Sequence, residues 1–101
     1  MTVVSVLRLA VRPGAEKALA RAVAELRVFE HSRENGGFRR GRVLVPRYSD
    51  EPVLVVAEWD RQADYERWLT NPVRERLREA LGPLLAGGPG GGLLYEEAHT
   101  G

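Results

Sequence analysis

Residues 53–59 form a run that is apolar on both of its alternating faces. Val53, Val55, Ala57 and Trp59 lie on one face, Leu54 and Val56 on the other. A strand has period two, so a run of this kind must be covered on both sides. Residues 3–11 repeat the pattern, with Val3, Ser5, Leu7, Leu9 and Val11 opposite Val4, Val6, Arg8 and Ala10. The chain has 101 residues, and a domain of that size buries only about two-thirds of its unfolded surface by itself. Its helices can cover one sheet face. The other is therefore expected to meet the same face of a second copy, giving a homodimer.

After the turn at Pro13-Gly14 the period changes. Ala15, Leu19, Ala22, Val23, Leu26 and Phe29 fall at helical spacing, which predicts one helix running to about residues 32–34 and ended by Asn35-Gly36-Gly37. Residues 38–45 read as a second strand stopped by Pro46, and the polar residues 47–52 as a hairpin connection to the run at 53–59. Asp60 is expected to cap a helix carrying Ala63, Tyr65, Trp68 and Leu69. Asn71 and Pro72 start another, with Val73, Leu77, Ala80 and Leu81 as its buried stripe and Gly82-Pro83 as its end. Residues 87–92, five glycines in six, read as a flexible connector. No Lys, Ser or Thr follows them and no helix opens there, so they are not a phosphate loop. Residues 93–97 give a last strand. The order β-α-β-β-α(α)-β is the split βαβ pattern of ferredoxin-like domains, an α+β fold with a four-stranded antiparallel sheet and helices on one face. Residues 1–101 are expected to form a single domain.

Composition removes most chemistries. Without cysteine there is no disulfide, thiolate zinc site or thiol nucleophile. His31 and His99 make no two-histidine spacing, so no metal is expected. Ser5, Ser32 and Ser49 lack a nucleophile elbow. A net charge of +1 argues against a nucleic-acid or membrane field, and the run at 53–59 has no mid-sheet aromatic on which a base could stack. No apolar stretch approaches a membrane span or a signal peptide, which places the chain in the cytoplasm. The basic residues are fourteen Arg and the single Lys17. Composition accounts for most of them, although an Arg fork also grips oxyanions in a way Lys does not.

Residues 58–72, Glu58-Trp59-Asp60-Arg61-Gln62-Ala63-Asp64-Tyr65-Glu66-Arg67-Trp68-Leu69-Thr70-Asn71-Pro72, followed by Leu77-Arg78-Glu79-Ala80-Leu81, carry a resemblance. Here the chain resembles the antibiotic-biosynthesis monooxygenase superfamily of dimeric α+β-barrel proteins. There a strand ends in Trp, a polar turn leads into a helix with an aromatic six residues on, and a helix broken off by Pro follows. One branch, the cofactor-free (actinorhodin-type) oxidases of tricyclic aromatic polyketides, is similar at Trp59, Tyr65 and Arg78. The resemblance implies that these three are catalytic, that Trp68, Val55, Leu7 and Phe38 help bind a small aromatic substrate, and that no cofactor is needed. The departure is Val55, which stands where that branch has Asn. The haem-degrading branch is matched at Trp68, but Leu7 stands near its Asn and Arg78 in place of its ligating His. Arg cannot ligate iron, so haem degradation is disfavoured.

Physical reading of the same residues leaves two outcomes open. Trp59 and Trp68 offer flat walls to an aromatic ring system, Tyr65 a hydroxyl, and Arg78 a cation for an enolate or phenolate. Equally, Trp59 can be strand core, Tyr65 and Trp68 a buried helix stripe, and Arg78 the partner of Glu75 in a surface ion pair. The second outcome gives a non-catalytic dimeric module that binds a small ligand. A cavity reaching Trp59, Tyr65 and Arg78 separates the two.

Overall fold

The strands with two apolar faces take the centre of the sheet. The computed structural model describes residues 1–48, 51–87 and 91–101. Within them β1 (Val3–Leu9), β2 (Phe38–Leu44), β3 (Val53–Trp59) and β4 (Gly92–Glu96) form one antiparallel sheet in the order β2-β3-β1-β4. Val3 faces Trp59 and Leu9 faces Val53 across the central pair. The edges are blunted, since β2 carries Arg39, Arg40 and Arg42 and β4 is only five residues long.

Four helices, α1 (Glu16–Glu25), α2 (Val28–Asn35), α3 (Gln62–Leu69) and α4 (Val73–Leu81), pack on one face of the sheet. Their apolar stripes fall into two clusters. Leu19 of α1 meets Leu9 and Val53, while Trp68 and Leu77 meet Val3, Ala57 and Trp59. The α+β architecture expected from the sequence is present. No helix is long and apolar enough to cross a membrane among the described residues.

Several details differ from expectation. The single helix predicted from residue 15 to about 34 is two helices, broken where Arg27 takes a left-handed φ of 57°. The break re-aims α2 toward β2, where the Phe29 ring lies against Gly41 so closely that a Cβ there would collide with it. Asp60 does not cap α3. It pairs with Arg39 at 3.2 Å, and the buried Asp64 instead accepts the Arg61 N–H at 3.1 Å. Asn71 does cap the following helix, its Oδ1 accepting from Val73 N–H at 3.0 Å. β1 stops at Leu9, and Val11 makes only an isolated bridge to Leu85. A bulge at Arg39 lets Phe38 face Trp59 while Arg40 faces Glu58. β4 begins at Gly92, one residue before the expected start, whereas Ser49 and Asp50 of the hairpin connection and residues 88–90 of the glycine-rich connector lie outside the described residues.

The opposite sheet face carries Val4 and Val6 of β1, Leu54 and Val56 of β3, and Leu93 and Tyr95 of β4. Among the described residues no helix covers it, and Tyr95 and Leu93 are 54% and 39% exposed.

Candidate active site

Between the sheet and the helices lies a cavity of about 320 Å³. It touches both core clusters, reaching Trp59, Trp68 and Leu77 of one and Leu9 of the other. Its walls are mainly apolar, with a few polar groups, the ordinary make-up of a small-molecule site.

Trp59 is placed by register. The last residue of β3, it is 1% exposed, and its Nε1–H donates to Ser5 Oγ at 3.0 Å. Ser5 sits opposite Ala57 on β1 and directs its own hydroxyl at the Ala57 carbonyl, 3.5 Å away. The indole N–H is thus consumed inside the protein, and Trp59 presents only its ring to the cavity. Tyr65 and Trp68, three residues apart on α3, bring their rings to 6.0 Å and 6.2 Å from the Trp59 ring. Tyr65 reaches across to β4, where a Cβ on Gly92 would stand 2.5 Å from its hydroxyl. A side chain there would push the Tyr65 hydroxyl aside.

Of the other residues predicted for the site, Leu7 and Val55 face each other across β1 and β3 and both line the cavity. Phe38 does not. The bulge turns it beneath Trp59, edge-to-face at 5.5 Å, with Phe29 stacked on its other side at 5.8 Å. It supports the wall from behind. Arg78 lines the cavity and also pairs with Glu75 at 3.3 Å, its side chain 49% exposed.

Two site residues escape sequence reasoning. Ser5 is the lone hydroxyl on the inward face of β1, and that isolation among apolar neighbours is its signal in the sequence. Arg74, one turn before Arg78 on α4, also lines the cavity. Its guanidinium lies 5.9 Å from the centre of the Trp68 ring, and Nη1 donates to the Leu69 carbonyl at 3.4 Å. Burial, and then the neighbouring Arg78 charge, hold its pKa below the ordinary guanidinium value, while Tyr65 acts in the opposite direction. In a helix rich in arginine, only its spacing with Leu77 and Leu81 marks it as inward. The arrangement can sandwich a flat ring system against indoles and set a phenol hydroxyl and two guanidinium groups at its edge.

The sequence model described as "Antibiotic biosynthesis monooxygenase" matches residues 2–80. Solved structures share the fold. A Bordetella bronchiseptica protein assigned as an antibiotic biosynthesis monooxygenase superposes with a TM-score of 0.81 at 14% identity, covering 97% of this chain and 98% of that one. SnoaB, a cofactor-independent oxygenase from Streptomyces nogalater, gives 0.75 at 24% identity, with 98% and 95% covered. A haem-degrading protein of Mycobacterium tuberculosis gives 0.71 at 21% identity, with 99% and 98% covered. No curated protein sequence matches. The sheet order, the helices on one face and the match over residues 2–80 together make this chain a member of the antibiotic biosynthesis monooxygenase family.

Proposed function

We propose that the chain is a single-domain, cofactor-independent monooxygenase that oxidises an aromatic polyketide or quinol-type substrate with molecular oxygen. The observation that carries this reading is the one cavity lined by Trp59, Tyr65 and Arg78 together. A reduced polyphenol occupies the cavity, with Trp59 and Trp68 in its wall. Tyr65 hydrogen-bonds an oxygen of the substrate, and Arg78 favours the enolate formed when the ring methylene gives its proton to water. The carbanion supplies the electrons. Carbon bonds to O2, the resulting peroxide takes up a proton, and loss of water leaves a carbonyl, so a CH2 plus O2 becomes C=O plus H2O. The likeness to SnoaB, a cofactor-independent oxygenase, supports this choice within the family.

Oxygen uptake with 1,8-dihydroxy-9-anthrone tests it. The wild type is expected to exceed the buffer rate, and Arg78→Ala to lose about tenfold to a hundredfold of the enzymatic rate, less than the roughly hundredfold to thousandfold of a buried oxyanion donor because Arg78 is half exposed. If the wild type is no faster than buffer, oxidation of such substrates is refuted. One observation favours a second reading. Val55 and Leu7 pair where an amide would orient a substrate, which suits a non-catalytic dimeric module binding a small hydrophobic ligand. That module binds the oxidised anthraquinone without consuming oxygen. In both readings two copies associate through the uncovered sheet face.

A further inference from the structure

We infer that Arg74 and Arg78 form an anion subsite at the α4 end of the cavity, which selects planar aromatic acids over neutral aromatics of the same shape. The inference refines the proposed function by naming the substrate's charge, and it rests on that function only for the chemistry that follows binding.

Arg74 is the one arginine among the described residues that is partly buried rather than exposed. Arg27, Arg39, Arg40, Arg61, Arg67 and Arg78 stand within ion-pair distance of a carboxylate and the other arginines are left to solvent, whereas Arg74 is partly buried and has no carboxylate at that distance among the described residues. A partly desolvated charge with no counter-charge is costly and lowers its cost by taking one from a ligand. Its guanidinium has five N–H donors, and among the described residues one acceptor meets them, the Leu69 carbonyl at 3.4 Å. Most of the fork remains for a bidentate carboxylate. The Trp68 ring beside it fixes the guanidinium at the aromatic wall. An acid held there leaves its own ring system against the same indoles.

Arg78 adds to the demand. Positions 74 and 78 are one turn apart, where like charges repel, and the depression of the Arg74 pKa by Arg78 has the same origin. Glu75 engages Arg78 from the solvent side and is itself 69% exposed, so it does little to neutralise Arg74. A carboxylate between the two guanidinium groups relieves both the burial and the repulsion.

The experiment is equilibrium binding, read by quenching of Trp59 and Trp68 fluorescence, with anthraquinone-2-carboxylate and its neutral match anthraquinone-2-carboxamide. The wild type is expected to bind the carboxylate at least about tenfold more tightly at low salt. Arg74→Gln is expected to abolish that preference while leaving carboxamide affinity within about twofold, and Arg74→Lys to keep part of it. Equal binding of the two probes by the wild type, binding of neither, or a preference that survives in Arg74→Gln would overturn the subsite. If Arg74→Gln binds neither probe, Arg74→Lys decides: a retained preference supports the subsite and a lost one refutes it. The two proposals fail separately. An Arg74-dependent preference without oxygen uptake keeps the subsite and removes the oxidase, whereas oxygen uptake without the preference does the reverse.

Discussion

Ser5 and Trp59 lie 54 positions apart in the chain and share one hydrogen bond. Because both are buried, the bond matters more through its loss than through its presence. Ser5→Ala leaves the Trp59 N–H without its acceptor, and urea denaturation is expected to show a loss of about 1–3 kcal/mol. A loss under 0.5 kcal/mol would mean that ring packing alone holds the indole. Gly92 sets a second single-residue condition. Gly92→Ala drives a methyl into the Tyr65 hydroxyl, so Tyr65 must withdraw from β4. Oxygen uptake by this variant is expected to fall at least about tenfold with little change in melting temperature, as a displaced positioning group would cause. An unchanged rate would show that the Tyr65 hydroxyl has no part in the reaction.

The break between α1 and α2 is the clearest case at the scale of elements. Arg27 holds φ 57° without being glycine, a conformation that costs an L-residue about 1–2 kcal/mol. Arg27→Gly removes that cost at some expense in unfolded-state entropy and is expected to stabilise by roughly 0.5–1 kcal/mol in thermal or urea unfolding. Destabilisation would mean that the Arg27 side chain itself holds the junction. Nothing in the sequence marks this break. Leu26 and Phe29 continue the apolar spacing of Leu19 and Val23, no Gly or Pro interrupts it, and the contact that decides it is tertiary: Phe29 on Gly41. β3, in contrast, was legible to the residue, because Pro52 and Asp60 bracket a run of unmistakable period. Phe38 stands apart from the cavity lining for a related reason. Its face depends on a one-residue bulge, and bulges are set by pairing across strands rather than by local pattern. The Arg74 side chain is illegible in the sequence because an arginine on a helix normally faces solvent, and only the tertiary contact with Trp68 places it inward.

For the whole molecule the open sheet face is the surface on which the proposed dimer is tested. Val6 stands between Val56 and Leu93 on the neighbouring strands, at the middle of the face proposed to meet a second copy. Sedimentation is expected to give twice the 11.2 kDa of one chain, and Val6→Glu to return it to a single chain by burying unpaired carboxylates. A wild-type mass of one chain at micromolar concentration would refute the dimer. The helix-side face has a different consequence. Its core is divided into two clusters with about 320 Å³ of space reaching both, so a ligand that fills this space ties together two halves of one small fold. Folding and occupancy are then linked: at a ligand concentration of about 100 Kd the native state gains roughly 2.7 kcal/mol. In a domain near 100 residues that raises the melting midpoint by roughly 10–20 °C. Heat thus becomes a chemical probe, and a panel of aromatic acids sorted by the temperature at which the protein melts is expected to rank them by how well each fills this space.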